Sequence, residues 1–192
     1  MLPEGDAIGL SQFCPNKASA SGNSNDVQER RFPRSIETCE ALRVRALVQR
    51  VREAHVDVID GASRERVGEV GQGICVLVGV THEDTEAEAA RLAEKVADLR
   101  IFPDADGAMN LSLVEVGGAA LVVSQFTLYG DTTRGRRPGW SAAARPEHAE
   151  PLVEAVVAGL RARGVDVATG RFRTDMEVSI VNDGPCTLMI EV

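Results

Sequence analysis

The sequence predicts a single compact α/β domain, dominated by strands in mixed sheets and carrying two main helices. Three observations lead there. Gly73-Ile74-Cys75-Val76-Leu77-Val78-Gly79-Val80 is a strand-sized apolar run, the pattern of a central strand covered on both faces. Two stretches, opening at Thr85 and at Pro146, repeat apolar residues with the period of an amphipathic helix. At the end of the chain, residues 176–181 and 186–192 have strand composition on either side of Asn182-Asp183-Gly184-Pro185.

Residues 1–43 mix Ser, Asn, Pro, Gly and charge without a sustained period of 2 or 3.6, as a disordered extension or a mis-assigned start does. They lack the pattern of a secretory signal. Arg30, Arg31 and Arg34 hint at a transit peptide, and Glu29, Glu37 and Glu40 argue against one. The folded domain is expected over residues 44–192, with the true start at Val44.

Ala54, Val56 and Val58 then alternate with His55 and Asp57 as in a half-buried strand, and Asp60-Gly61 marks a turn. Thr85 with Glu88 three residues on forms a capping box. Ala89, Leu92, Ala93, Val96 and Leu99 share the apolar face of the helix that follows, which is expected to end near Arg100. Residues 103–107 read as a turn, 111–115 as a short strand and 119–128 as a longer one. The second helix starts at Pro146, a good first-turn residue, and runs through Leu152, Val153, Val156, Val157 and Leu160 to a stop at Gly164. Arg161 and Arg163 in its last turn complement the helix dipole. The chain has no internal repeat.

Composition bounds the function. With 44% apolar and 26% charged residues, the 192-residue chain can bury a real core. No stretch approaches the roughly 18 consecutive apolar residues of a membrane span. A net charge of −8 argues against a protein that coats nucleic acid nonspecifically, while leaving room for a local basic patch. Cys14, Cys39, Cys75 and Cys186 have no zinc-ligand spacing and suggest no disulfide framework. Cys75, inside an apolar run, reads as a small buried hydrophobe, and a reducing compartment is the default.

Three places could carry chemistry. At Ser124-Gln125-Phe126-Thr127 a buried apolar run turns polar, and strand ends are where ligands meet open α/β sheets; the plainer alternative is a strand leaving the core. Gly184-Pro185 is either an ordinary hairpin turn or a cis bond holding two successive carbonyls in an unusual direction. Arg134, Arg136 and Arg137, followed by Pro138 and Trp140, either contact phosphate and stack a base or form a solvated loop. His55, His82 and His148 read as surface or capping residues, and no Ser/His/Asp order or HExxH spacing supports a histidine base or a metal.

Taken in order, several segments resemble the D-aminoacyl-tRNA deacylase family, also called D-tyrosyl-tRNA deacylases. They are Arg45-Ala46-Leu47-Val48-Gln49-Arg50-Val51, Met109-Asn110-Leu111-Ser112, Ser124-Gln125-Phe126-Thr127-Leu128-Tyr129-Gly130-Asp131, Arg136-Arg137-Pro138 and Val178-Ser179-Ile180-Val181-Asn182-Asp183-Gly184-Pro185-Cys186-Thr187. The resemblance covers about residues 44–192. It implies the D-aminoacyl-tRNA deacylase-like fold and a cytoplasmic homodimeric hydrolase without cofactor or metal. Its substrate would be the ester between a D-amino acid, or glycine mischarged on tRNA-Ala, and the terminal adenosine of tRNA, in translation quality control. Membrane and DNA are not implied as partners.

By the same resemblance, Ser124, Gln125, Phe126 and Thr127 line the catalytic pocket. Gly184-Pro185 is a cis chirality gate that reaches into the partner subunit's site, and Arg50 supports it. Arg134, Arg136 and Arg137 are the candidate tRNA contacts. An activated aminoacyl ester needs only a placed water and an oxyanion site, which backbone amides near Phe126 and Thr127 could supply, with the adenosine 2′-OH assisting proton transfer. Thr127 as a covalent nucleophile is the rival, without an apparent base to activate it. Two departures from the family pattern stand out: Cys186 replaces the usual Val, and Arg173-Thr174 replaces the usual Gly-Ala before Asp175-Met176. The other function classes are a noncatalytic tRNA-binding module and an esterase or amidase for small D-amino-acid derivatives.

Overall fold

Arg45–Asp60 forms β1, a 16-residue strand hydrogen-bonded along both sides. The structure, a computed structural model, describes residues 43–133 and 135–192. The expected N-terminal extension, residues 1–43, lies outside the described residues except for Arg43, and so does Arg134.

Along one side, the first half of β1 pairs antiparallel with β3 (Gly73–Gly79), and the second half with β2 (Ser63–Val70). Its other side pairs with β8 (Met176–Glu191). β6 (Ala119–Ser124) lies parallel to β3, and β7 (Asp166–Thr169) parallel to β6. Between them come α1 (Glu86–Ala97), the small pair β4 (Phe102–Pro103) and β5 (Met109–Leu111), a 3₁₀ turn at Phe126–Tyr129, and α2 (Pro146–Ala162).

Both faces of this sheet are buried. Ile74, Val76, Val78, Ala120 and Val122 pack against the helices, through Leu92 and Val96 of α1 and Leu152, Val156 and Leu160 of α2. Cys75, Leu121 and Val123, one residue out of phase, face a second core with Val51, Ala54, Val56 and Val70. Each fully buried Val or Leu side chain contributes about 1.5–3 kcal/mol. The second core exists because the sheet curls almost into a barrel. A Cβ on Gly68 of β2 would stand 2.7 Å from the Thr169 carbonyl of β7, so only glycine permits that approach.

The period of β1 switches in its middle. Val48 faces the helix-side core and Val51 the barrel side, yet Ala54 and Val56 also face the barrel side. An unpaired Arg52 between the partners of Asn182 and Val181 accounts for the switch, as a one-residue bulge exchanges the faces. Beside it β8 makes a larger excursion. Gln49 pairs with Thr187 and Val51 with Asn182, so residues 183–186 stand opposite Arg50 alone. Residues 176–181 and 186–192 are therefore not two arms of a hairpin. They are one strand, interrupted by a protrusion, along a single partner.

Local chemistry explains the other boundaries. Thr85 caps α1 as expected, its hydroxyl accepting from the Ala87 N–H while Glu88 accepts from the Thr85 N–H. α1 ends at Ala97, before the expected Arg100, and the chain then turns to bury Phe102. The short strand ends at Leu111. Ser112 and Glu115 bind each other's backbone N–H and turn residues 113–117 instead of extending them. β6 likewise stops at Ser124, where the expected longer strand becomes the 3₁₀ turn. β2 and β7 have no counterpart in the sequence reading: β2 alternates charges rather than apolar residues, and β7 has only four residues.

Two predictions follow from this packing. Alanine normally stabilises a helix over glycine by about 0.5–1 kcal/mol, yet a Cβ on Gly159 of α2 would lie 2.6 Å from the Ala93 Cβ on α1. Overpacking costs about 1–3 kcal/mol, so Gly159→Ala lowers the thermal midpoint; a higher midpoint contradicts this contact. Asp57 is buried and bound by Arg66 Nε at 2.9 Å and Arg64 Nη1 at 3.4 Å. The Arg66 hydrogen bond holds its carboxyl below the usual range, against the opposing effect of burial. Its stabilisation is therefore complete above the unfolded value of about 3.9 and is lost as pH falls through the lower folded value. Asp57→Asn flattens the acid limb of stability against pH, measured by denaturant titration; an unchanged limb rules this pair out as a contributor.

Candidate active site

The carboxyl ends of the parallel strands β3 and β6 open at the same edge, with Val78 beside Ser124. The Gln125 N–H donates to the Val78 carbonyl at 2.7 Å, and the backbone then winds into the 3₁₀ turn. Bonding within that turn begins with the Leu128 N–H to the Gln125 carbonyl, 3.2 Å, so the Phe126 and Thr127 amides are not used inside it. Gln125 Nε2 donates to Thr127 Oγ1. Thr127 is exposed, and among the described residues neither a histidine nor a carboxylate binds its hydroxyl.

The turn is riveted to the start of β1. Arg45 lies over the Tyr129 ring at 4.7 Å and donates from Nη1 to the Leu128 carbonyl at 3.3 Å. The buried Tyr129 hydroxyl donates to the Arg43 carbonyl, and burial pushes its pKa up. A cleft of about 360 Å³ lies against the turn, lined by Ser124, Gln125, Phe126, Phe172, Arg173 and Met176 among others; of the four expected pocket residues Thr127 does not line it, standing exposed one step further along the turn. A second cleft of about 470 Å³ shares Ser124, Phe172 and Met176 with it and runs along α2 past Glu150, Glu154 and Arg161. Sequence reasoning assigned no site role to Arg45, Tyr129, Phe172 or Met176. Tyr129 lies in the recognised motif; Phe172 and Met176 carry no local signal, being brought in by the chain reversal after β7.

Phe126 and Trp140 form an exposed edge-to-face pair, their rings 5.2 Å apart at 71°. Beyond them, an antiparallel bridge between Asp131 and Gly139 closes a loop that carries the exposed Arg136 and Arg137. Arg173 lies in a turn in which the Thr174 hydroxyl donates to the Arg171 carbonyl at 2.9 Å. Its φ of +58° is left-handed, a conformation that costs a non-glycine residue roughly 1–2 kcal/mol.

Gly184-Pro185 lies elsewhere. The bond is cis and both residues are exposed at the tip of the β8 protrusion. Asp183, beside it, pairs with Arg50 Nε at 2.8 Å and with Arg52 Nε at 3.5 Å. The buried Arg50 also donates to the Ile101 carbonyl, which fixes the guanidinium from the opposite side. Within one chain the two motifs do not meet. Ser124 is level with Ala46 of β1, whereas Gly184-Pro185 is level with Arg50, roughly 13 Å further along at 3.3 Å per residue.

The histidines stand outside the cleft. His82 Nε2 lies 2.9 Å from the Ser141 carbonyl, and His148 Nε2 2.9 Å from that of Asp84. Burial raises the Cys75 thiol to about 11, so it is a core residue and not a nucleophile. Among the described residues, no group of three or more His, Cys, Asp or Glu side chains is arranged to hold a metal ion.

Comparison with known proteins places the chain in a family. The sequence pattern of the family described as D-Tyr-tRNA(Tyr) deacylase matches residues 47–191. A D-aminoacyl-tRNA deacylase of Chloroflexus aurantiacus is 58% identical over 148 residues, 77% of this chain and 90% of the relative. One of Symbiobacterium thermophilum is 59% identical over 148 residues, 77% and 95% of the two chains. Among solved structures, a c-Myc DNA Unwinding Element Binding Protein superposes with a TM-score of 0.70 at 36% identity, covering 77% of this chain and 98% of that one. A polar turn at the open end of two parallel strands and a family pattern spanning nearly all of the described residues give one conclusion: this chain belongs to the D-Tyr-tRNA(Tyr) deacylase family.

Proposed function

We propose that this protein hydrolyses the ester joining a D-amino acid, or glycine mischarged on tRNA-Ala, to the terminal adenosine of tRNA, and refuses L-aminoacyl-tRNA. The observation that carries the reading is the turn at Phe126 and Thr127, where, among the described residues, neither backbone amide has a hydrogen-bond partner and no base binds the Thr127 hydroxyl. Family membership supports ester hydrolysis of aminoacyl-tRNA. The role that follows is quality control of translation in the cytoplasm.

An aminoacyl ester is already activated, so the barrier falls chiefly by stabilising charge. The carbonyl oxygen rests on the Phe126 and Thr127 amides, which take up the negative charge as water adds. The adenosine 2′-OH relays the proton, and the tetrahedral species collapses with loss of the ribose 3′-oxygen. Thr127 accepts a hydrogen bond from Gln125, which makes its oxygen a poorer nucleophile. The exposed Arg136 and Arg137, with the Phe126 and Trp140 rings, suit the single-stranded 3′ end; Arg134 lies outside the described residues.

Chirality is read by Gly184-Pro185, whose carbonyls take the α-amino group so that an L side chain meets the wall. Glycine has no side chain to refuse. Because this dipeptide stands far from its own chain's cleft, the reading requires that it complete the cleft of a second copy. The edge of β8, unpaired among the described residues, and the exposed Val181, Leu188 and Met189 support a homodimer through that face.

A deacylation assay with D- and L-aminoacyl-tRNA beside a free D-amino-acid ester tests the reading. Only D-aminoacyl-tRNA and glycyl-tRNA are expected to be cleaved quickly. Binding without turnover would mean a tRNA-binding module, and preference for the free ester a small-molecule hydrolase. Thr127→Ala keeps turnover within about tenfold; a loss of about 10² or more, the size seen when an oxyanion donor is removed, with analogue binding intact moves catalysis to the hydroxyl. Arg50→Lys keeps the charge but not the fork that joins Asp183 to Ile101. It lowers D-over-L selectivity about tenfold, the equivalent of ~1.4 kcal/mol, and unchanged selectivity separates Arg50 from the gate.

A further inference from the structure

We propose that Arg173 binds the phosphodiester next to the terminal nucleoside of the substrate, so that tRNA is distinguished from a bare aminoacyl nucleoside. The inference rests on the deacylase reading and adds a residue to it. Arg173 lines the cleft of about 360 Å³ together with Ser124, Gln125 and Phe126. Its side chain is exposed, and among the described residues it forms no ion pair. The neighbouring arginines are engaged differently. Arg171 makes a forked pair with Glu65, at 2.9 and 3.0 Å, and Arg161 donates to the Val167 carbonyl at 2.9 Å. Asp175 shares the cleft without pairing to Arg173.

The backbone adds a second, independent observation. Arg173 occupies a φ of +58°, which glycine adopts freely and an arginine resists. Such outliers persist where the surroundings compensate, and they gather at binding sites. What the arginine supplies there is an unneutralised guanidinium at the cleft's edge, in a chain of net charge −8. With the ester carbonyl on the Phe126 and Thr127 amides, the terminal ribose leaves through the cleft mouth, and the first phosphate follows it one nucleotide bond away. A planar, always-charged fork suits that phosphate better than an ammonium does.

The test compares the wild-type protein with Arg173→Gly and Arg173→Lys in three measurements. These are the thermal midpoint, the affinity for a short RNA ending in CCA across a salt series, and kcat/KM for D-aminoacyl-tRNA against D-aminoacyl-adenosine, which has no phosphate. Arg173→Gly relieves the backbone and raises the midpoint. At the same time it lowers the tRNA-to-nucleoside ratio of kcat/KM about tenfold and makes the salt slope of RNA binding shallower by about 0.7, one phosphate contact on a single strand. Arg173→Lys restores most of the slope. An unchanged ratio or slope overturns the proposal, as does an equal loss on both substrates, which would mean a distorted cleft. RNA binding also separates the two readings: an Arg173-dependent slope without turnover leaves this proposal standing and removes deacylation, whereas turnover with an unchanged slope does the reverse.

Discussion

The fold depends on one strand serving two partners in succession. β1 pairs with β8 on one side from Arg45 to Val58, interrupted only at Arg50 and Arg52, and on the other passes from β3 to β2. A straight strand of strict period 2 could not do this and keep both halves in a core, because the halves face opposite ways relative to the helices. The unpaired Arg52 resolves the conflict by exchanging faces between Val51 and Ala54. From that bend come the curl that brings β2 against β7 and the second core inside it. The protrusion carrying Gly184-Pro185 faces the same bend.

Arg50 links that geometry to the site. A buried guanidinium needs a compensating charge, and here it pairs with the Asp183 carboxylate while Nη1 donates to the Ile101 carbonyl. The protrusion is thereby held at its base while its tip is exposed. The cleft is built on another principle: two parallel strands end together, and the backbone leaves the sheet in a 3₁₀ turn beside it. An already activated ester is a fitting substrate for such a site. Against the acidic balance of the chain, Arg136 and Arg137 stand exposed together in one loop.

The legible elements were those set by neighbours in sequence. The capping box at Thr85 and Glu88, the proline at the start of α2 and the doubly buried run of β3 are short-range signals, and each holds in the structure. Boundaries failed where a local hydrogen bond competed with propensity, as at Ser112 and Glu115, or where a strand end was settled by its neighbour, as at Gln125 and Val78. β2 was invisible because its residues are mostly charged and exposed, so its place in the sheet follows from pairing with β1 and not from its own period.

The candidate site divides in the same way. The motifs Ser124-Gln125-Phe126-Thr127 and Gly184-Pro185 were visible in the sequence, since residue identity and order carry both. Their placement was not. Asn182-Asp183-Gly184-Pro185 has the composition of a hairpin turn, and only pairing to β1 makes it a protrusion from one strand, because register belongs to two strands and neither encodes it alone. The separation of the two motifs within one chain, the approach of Phe172 and Met176 to the cleft and the left-handed Arg173 in its wall depend on contacts between segments far apart in sequence. Composition and period record what each segment prefers; which segments meet is decided by the burial and hydrogen bonding of the whole chain.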